Sequence, residues 1–185
     1  MTAWERIRWA DSGPRSYELP DLIVLDDGTS IIAAQFNDLL EKKLVIYRRA
    51  VSDTAWTQIT IRTEIISLYS TDFHPGICQL PNQDLLVFAW NDLDNSTVQL
   101  DAYVSQDLGA SWALLNGGAL DAVISTSGSG YTPGRIRAAA NNDQVLIFAR
   151  LVNNNAAAAV REHMIQLASS NLGASFVTGS ISSTQ

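Results

Sequence analysis

Read for the alternation of apolar and polar positions, the chain carries short runs with strand periodicity and almost no helical periodicity. Three stretches align: 20–34, 75–89 and 133–149. Each begins at a proline, continues as an apolar strand, turns, and ends in a second apolar strand closed by alanine. The turns fall at Asp27-Gly28, Asn82-Gln83 and Asn142-Asp143, and such residues between two apolar runs predict hairpins. A third strand follows in each at 44–49, 98–105 and 160–169. A fourth begins at a closing aromatic, Trp56, Trp112 or Phe176. The unit recurs about every 55 to 60 residues, the kind of period that marks a repeat architecture. Leu85 to Trp90 and Val145 to Phe148 are continuously apolar, which suits strands covered on both faces. Asp38 to Lys43 is the one short helical candidate and reads as a loop.

Each unit is therefore predicted to be a four-stranded antiparallel meander, and radial packing of meanders gives a β-propeller. The expected blades span roughly 12–62, 70–120 and 131–185. Residues 3–9, from Ala3 to Trp9, match 55–61 and read as the outer strand of a further blade. Propellers close with about four to eight blades. Three would leave apolar inner-strand surface in water at ~25 cal/mol per Å². The expectation is completion, either by a second copy to give six blades or by the remaining blades of a longer chain.

Two turns carry a sharper pattern. Ser105, Asp107, Gly109 and Trp112 form S-x-D-x-G-x-x-W, and Ser169, Asn171, Gly173 and Phe176 form a weaker copy. A short Asp or Asn side chain accepts hydrogen bonds from nearby backbone N–H groups, glycine supplies φ > 0, and the aromatic supplies buried area. This pattern resembles the Asp-box, or BNR repeat, of the sialidase superfamily. Tyr17-Glu18-Leu19-Pro20 and the strand, turn and strand that follow are similar to that family's N-terminal motif. The resemblance implies an all-β fold, a six-bladed propeller when complete, and a secreted or surface-associated protein. It also implies a site on the loop face opposite the Asp-boxes. The family's arginine that clamps a substrate carboxylate stands where this chain has Glu18, and a Glu repels that group. Asp38 matches the family's catalytic Asp in position alone. A non-catalytic carbohydrate-binding module is the expected function; a structural assembly role and a glycoside hydrolase half-site are the alternatives.

Composition narrows the partners. The chain has 185 residues and a formal charge of −7, with 46% hydrophobic and 17% charged residues. That describes a folded domain, and its acidity argues against nucleic acid. No apolar run reaches the ~18 residues of a membrane span, and the first residues do not read as a signal peptide. Cys78 is the only cysteine, and His74 and His163 lie in different units, so no disulfide, metal-ligand spacing or cofactor motif is expected. Asn91 to Asn95 reads as a polar loop. The loop face is expected to hold Arg15, Tyr17, Glu18, Asp38, Tyr69, Asp72, His74, Trp90, Asp92, Tyr131 and Arg135. Aromatics among amides and carboxylates suit sugars, with rings stacking on apolar sugar faces and side chains bonding hydroxyls.

Overall fold

The computed structural model describes residues 16–65, 72–94, 97–125, 131–141, 144–153, 162–171 and 175–184. The outer strand expected at residues 3–9, and Arg15, Tyr69 and the turn at Asn142-Asp143, lie outside them. Among the described residues, twelve strands form three four-stranded antiparallel sheets, each a simple meander. The first sheet is β1 (Ser16–Val24), β2 (Ser30–Asp38), β3 (Glu41–Arg49) and β4 (Thr57–Ile65). The second is β5 (Gly76–Gln79), β6 (Leu85–Asp94), β7 (Thr97–Ser105) and β8 (Ala113–Ser125). The third is β9 (Tyr131–Ala140), β10 (Val145–Asn153), β11 (Glu162–Ser169) and β12 (Val177–Thr184).

Two sequence expectations change here. Asp38 ends β2 rather than lying in a loop, and the 38–43 helical candidate is a tight hairpin with Leu39 at φ 44°. Asn91, Asp92 and Asp94 belong to β6, which pairs with β7 almost to its end. Pairing of backbone groups along both strands outweighs the polar character of those side chains.

The second sheet sits between the other two, and strand parity decides which neighbour each side chain meets. Leu85, Val87 and Ala89 of β6 pack with Ile31, Ala33, Leu44 and Ile46 of the first sheet. Leu86, Phe88 and Trp90 pack with Ile136, Val145, Ile147 and Leu167 of the third. Alternate side chains on a strand point to opposite faces, so β6 is buried on both. Phe176, from the turn before β12, meets Phe88 edge-to-face at a centroid distance of 6.0 Å. The first strands of the three sheets come together: β5 lies against both β1 and β9. Gly76 is needed there, because a Cβ on it would lie 2.9 Å from Ile136 Cγ2.

Candidate functional site

Antiparallel meanders bring the start of each first strand and the end of each second strand to one end of the sheets. Glu18, Asp38, His74, Asp92 and Tyr131 all fall at that end. The turns at Asp27-Gly28, Asn82-Gln83 and 105–112 fall at the other.

At the first end, the meeting of β1, β5 and β9 leaves a cleft of about 90 Å³ lined by Pro20, His74, Pro75, Arg135, Ile136 and Arg137. One carboxylate ties the three strands. Asp21 Oδ2 accepts from Ile77 N at 3.1 Å, and its Oδ1 accepts from Arg137 Nη1 at 3.2 Å. His74 stands at the rim with φ 43°, a left-handed conformation uncommon for a non-glycine residue.

Beside the cleft, the upper part of the interface between the first two sheets is polar and charged. Lys42 is only 2% exposed, with its ammonium 3.0 Å from Glu64 Oε2 and 4.9 Å from the Phe73 ring centre. Arg62 pairs with Glu64 at 2.5 Å and with Asp101 at 3.0 Å, and also donates to Asn91. Asp101, 3% exposed, further accepts from Asn91 at 2.8 Å and Gln99 at 2.5 Å. The buried Gln35 amide donates to Asp72 at 2.7 Å and accepts from Phe73 N at 2.7 Å. Two cations and two carboxylates balance, and the Asn91 and Gln99 amides donate to Asp101, while Glu64 Oε1 has the Arg62 charge beside it but no hydrogen bond.

Of the residues expected on this face, the structure brings His74 and Arg135 into the cleft and sets Asp72 on Gln35. Asp38 Oδ2 lies 3.9 Å from Lys43 Nζ. The backbones of Tyr17 and Glu18 pair with Phe36 and Gln35, Asp92 with Val98, and Tyr131 with Asn153. Trp90 is a correction. It is 1% exposed, and its indole N–H donates to the Gly134 carbonyl at 2.8 Å across to β9, so its ring has no face for a sugar. Lys42, Arg62, Glu64, Asp101 and Gln35 were not expected from the sequence, although Gln35 and Lys42 share strand parity with buried Ile31, Ala33, Leu44 and Ile46. Among the described residues no group of three His, Cys, Asp or Glu is placed to hold a metal ion. Burial pushes the Cys78 thiol up to about 12, so it is inert near neutral pH.

The turn at the far end is held by its own side chains. Asp107 accepts from Ser111 Oγ at 2.5 Å, Ser111 N at 2.8 Å and Ser105 Oγ at 2.8 Å. Gly109 N donates to Ser105 Oγ at 2.8 Å, with Gly109 at φ 84°. Trp112 packs on the cluster shared by the first two sheets. Asn171 repeats the arrangement, accepting from Ser175 N at 2.9 Å and Ser169 Oγ at 2.8 Å. Gly173 lies outside the described residues. The Ser111 hydroxyl, then its N–H, holds the Asp107 carboxyl down at about 2, against an ordinary 3.8. A depressed folded pKa favours the folded state above pH 3.8 and loses that contribution as pH falls to about 2. Asp107→Asn is therefore expected to flatten the fall of melting temperature across that window. Equal slopes for parent and variant would contradict the assignment.

No family model matches the sequence, and no curated protein matches it. Among solved structures, the fold is similar to three β-propeller glycoside hydrolases. An α-L-arabinofuranosidase from Fusarium graminearum, with an iminosugar inhibitor, is 12% identical with a TM-score of 0.63, covering 88% of this chain and 48% of that one. An α-L-arabinanase from Penicillium chrysogenum, with arabinobiose, is 17% identical with a TM-score of 0.61, covering 90% and 49%. A Hadza microbial sialidase is 14% identical with a TM-score of 0.54, covering 88% and 37%. The chain spans half or less of the length of these structures, and at such identities the likeness is one of fold.

Proposed function

We propose that the three sheets are blades of a sialidase-like β-propeller, six-bladed when complete, that recognises carbohydrate without turning it over. The observation that carries this reading is the convergence of β1, β5 and β9 on one cleft rimmed by His74 and Arg135. Ligand sites favour concave places where several elements meet. The fold neighbours are carbohydrate enzymes, one holding arabinobiose. On this reading the turns at 105–112 and 169–176 are Asp-boxes, stabilising the end away from the ligand.

Binding without turnover is supported by how the described carboxylate side chains Asp38, Asp72 and Asp101 are used. Asp101 neutralises Arg62, Asp72 accepts from Gln35, and Asp38 lies near Lys43. A glycosidase needs an acid and a nucleophile or base ~5–9.5 Å apart. Neither aryl α-L-arabinofuranosides nor a fluorogenic sialoside is expected to be hydrolysed above the buffer rate. The second reading is a glycoside hydrolase half-site completed by another chain, favoured because the fold neighbours are hydrolases. Turnover abolished by Asp38→Asn or Glu18→Gln would establish it in place of the first.

The same reading proposes a second copy as the source of the missing blades. The face of the third sheet turned away from the second leaves Met164 42% and Val177 73% exposed, with Leu146 and Phe148 half-buried. An inner strand apolar on both faces is built to be covered on both. Light scattering should find a species at twice 20.1 kDa. A monomer with a cooperative melt would count against the pairing.

A further inference from the structure

Large apolar side chains stand in the open at the cleft end of the first sheet. The last rung of the β2–β3 ladder joins Asp38 to Glu41, so Leu39 and Leu40 alone form the turn. Leu39 is 69% exposed and Leu40 73%. Ile65, 78% exposed, ends β4 opposite Glu41 in the next ladder.

These residues break a local rule. Leu39 has φ 44°, a left-handed conformation that tight hairpins ordinarily give to glycine, asparagine or aspartate. The turns at the far end keep to that rule: Gly28 takes φ 81° in one, and Asn82-Gln83 is polar in the other. Leucines this exposed add little to a core that lies between the sheets. A strained turn that spends two leucines without a structural return marks a surface kept for contact.

Shape, backbone and charge say what it contacts. A standard protein interface takes about 20–30 residues a side, and three side chains at a convex apex fall far short of that. A fluid apolar medium needs no such area. Backbone pairing runs up to the last rung, so only the two turn residues would enter a medium that offers no hydrogen bonds. Below the tip stand three cations, Lys42, Lys43 and Arg62, and three carboxylates, Asp38, Glu41 and Glu64. They pair among themselves, Lys43 with Glu41 and Lys42 with Glu64 each at 3.0 Å, which leaves a collar of no net charge on a chain of −7. Such a collar suits headgroups that carry both signs, while the charge of the whole chain opposes an anionic surface.

We propose that Leu39, Leu40 and Ile65 insert into the interface of a zwitterionic lipid surface and set the cleft end of the sheets against it. The contact is peripheral and reversible, because a few aliphatic side chains reach only the headgroup boundary. It stands apart from the carbohydrate reading, since a phosphatidylcholine surface bears no sugar.

Co-sedimentation of the full chain with phosphatidylcholine vesicles tests it. The parent should pellet in proportion to lipid, with little dependence on salt. Leu39→Gly combined with Leu40→Ser fits the turn without strain, so it should melt at or above the parent while its partition falls at least about tenfold. Ile65→Thr should weaken partition less. Val51→Ser, at a residue 71% exposed at the far end, should leave it unchanged. Three results would overturn the proposal: a parent that stays in solution at millimolar lipid, equal pelleting of parent and turn variant, or pelleting with anionic phosphatidylglycerol vesicles alone. Self-association that the turn variant loses, without vesicle binding, would give the tip to a second copy instead. Vesicle binding by a chain that binds no glycan would keep this proposal and remove the carbohydrate reading.

Discussion

Replacing Asp101 with alanine is expected to cost about 3–5 kcal/mol, the usual result of removing one partner of a buried ion pair. Asp101 is 3% exposed and holds Arg62, Asn91 and Gln99 together. Without it Arg62 keeps only Glu64 as a counter-charge, and Glu64 already serves Lys42. The two half-buried amides lose their acceptor as well, which adds less than the full cost of stranding a buried group, about 1–3 kcal/mol. A domain stabilised by 5–15 kcal/mol would lose much of its margin. Asp101→Asn keeps the shape and some acceptor capacity and should cost less. Chemical denaturation of the three proteins checks this, and a loss below about 1 kcal/mol in Asp101→Ala would mean that the network does not join the first two sheets.

Trp90→Ala should be comparably damaging, about 3–5 kcal/mol, because it empties a large volume between the second and third sheets. It also strands the Gly134 carbonyl that the indole N–H now reaches at 2.8 Å. Trp90→Phe retains most of the apolar contact and should lose about 1–2 kcal/mol through the missing hydrogen bond. The measurement is the urea midpoint at fixed slope. A sugar-stacking residue would behave otherwise: both variants would melt near the parent and only binding would fall.

Trp90 also shows what the sequence could and could not reveal. Alternation at Leu86, Phe88 and Trp90 places all three on one face, and two of them read plainly as core. Proximity to Asn91 and Asp92 drew the tryptophan toward the loop face instead. The hairpins were legible because turn chemistry is local: Asp27 accepts from Thr29 N at 2.8 Å, and Gly28 takes φ 81°. The turn at Ser105 to Trp112 was legible for the same reason, the bonds made by Ser105 and Asp107 spanning at most four residues. The charged network was not, because Arg62 and Asp101 are 39 residues apart and meet only once two sheets are packed. Lys42 falls within the 38–43 stretch that reads as a loop, although its parity with Leu44 and Ile46 points it inward. The cleft was half legible. His74 and Arg135 stood out as residues at first strands, while the tie between Asp21, Ile77 and Arg137 depends on three strands converging.

The proposed function is glycan recognition by a propeller module. A broad glycan array probed with the full chain, verified as folded by its circular dichroism, tests that claim most directly. A defined set of bound oligosaccharides is expected, with those signals weakened in Arg135→Gln, because Arg135 lines the cleft. Silence from the folded protein on every glycan would contradict it and leave a structural role in its place.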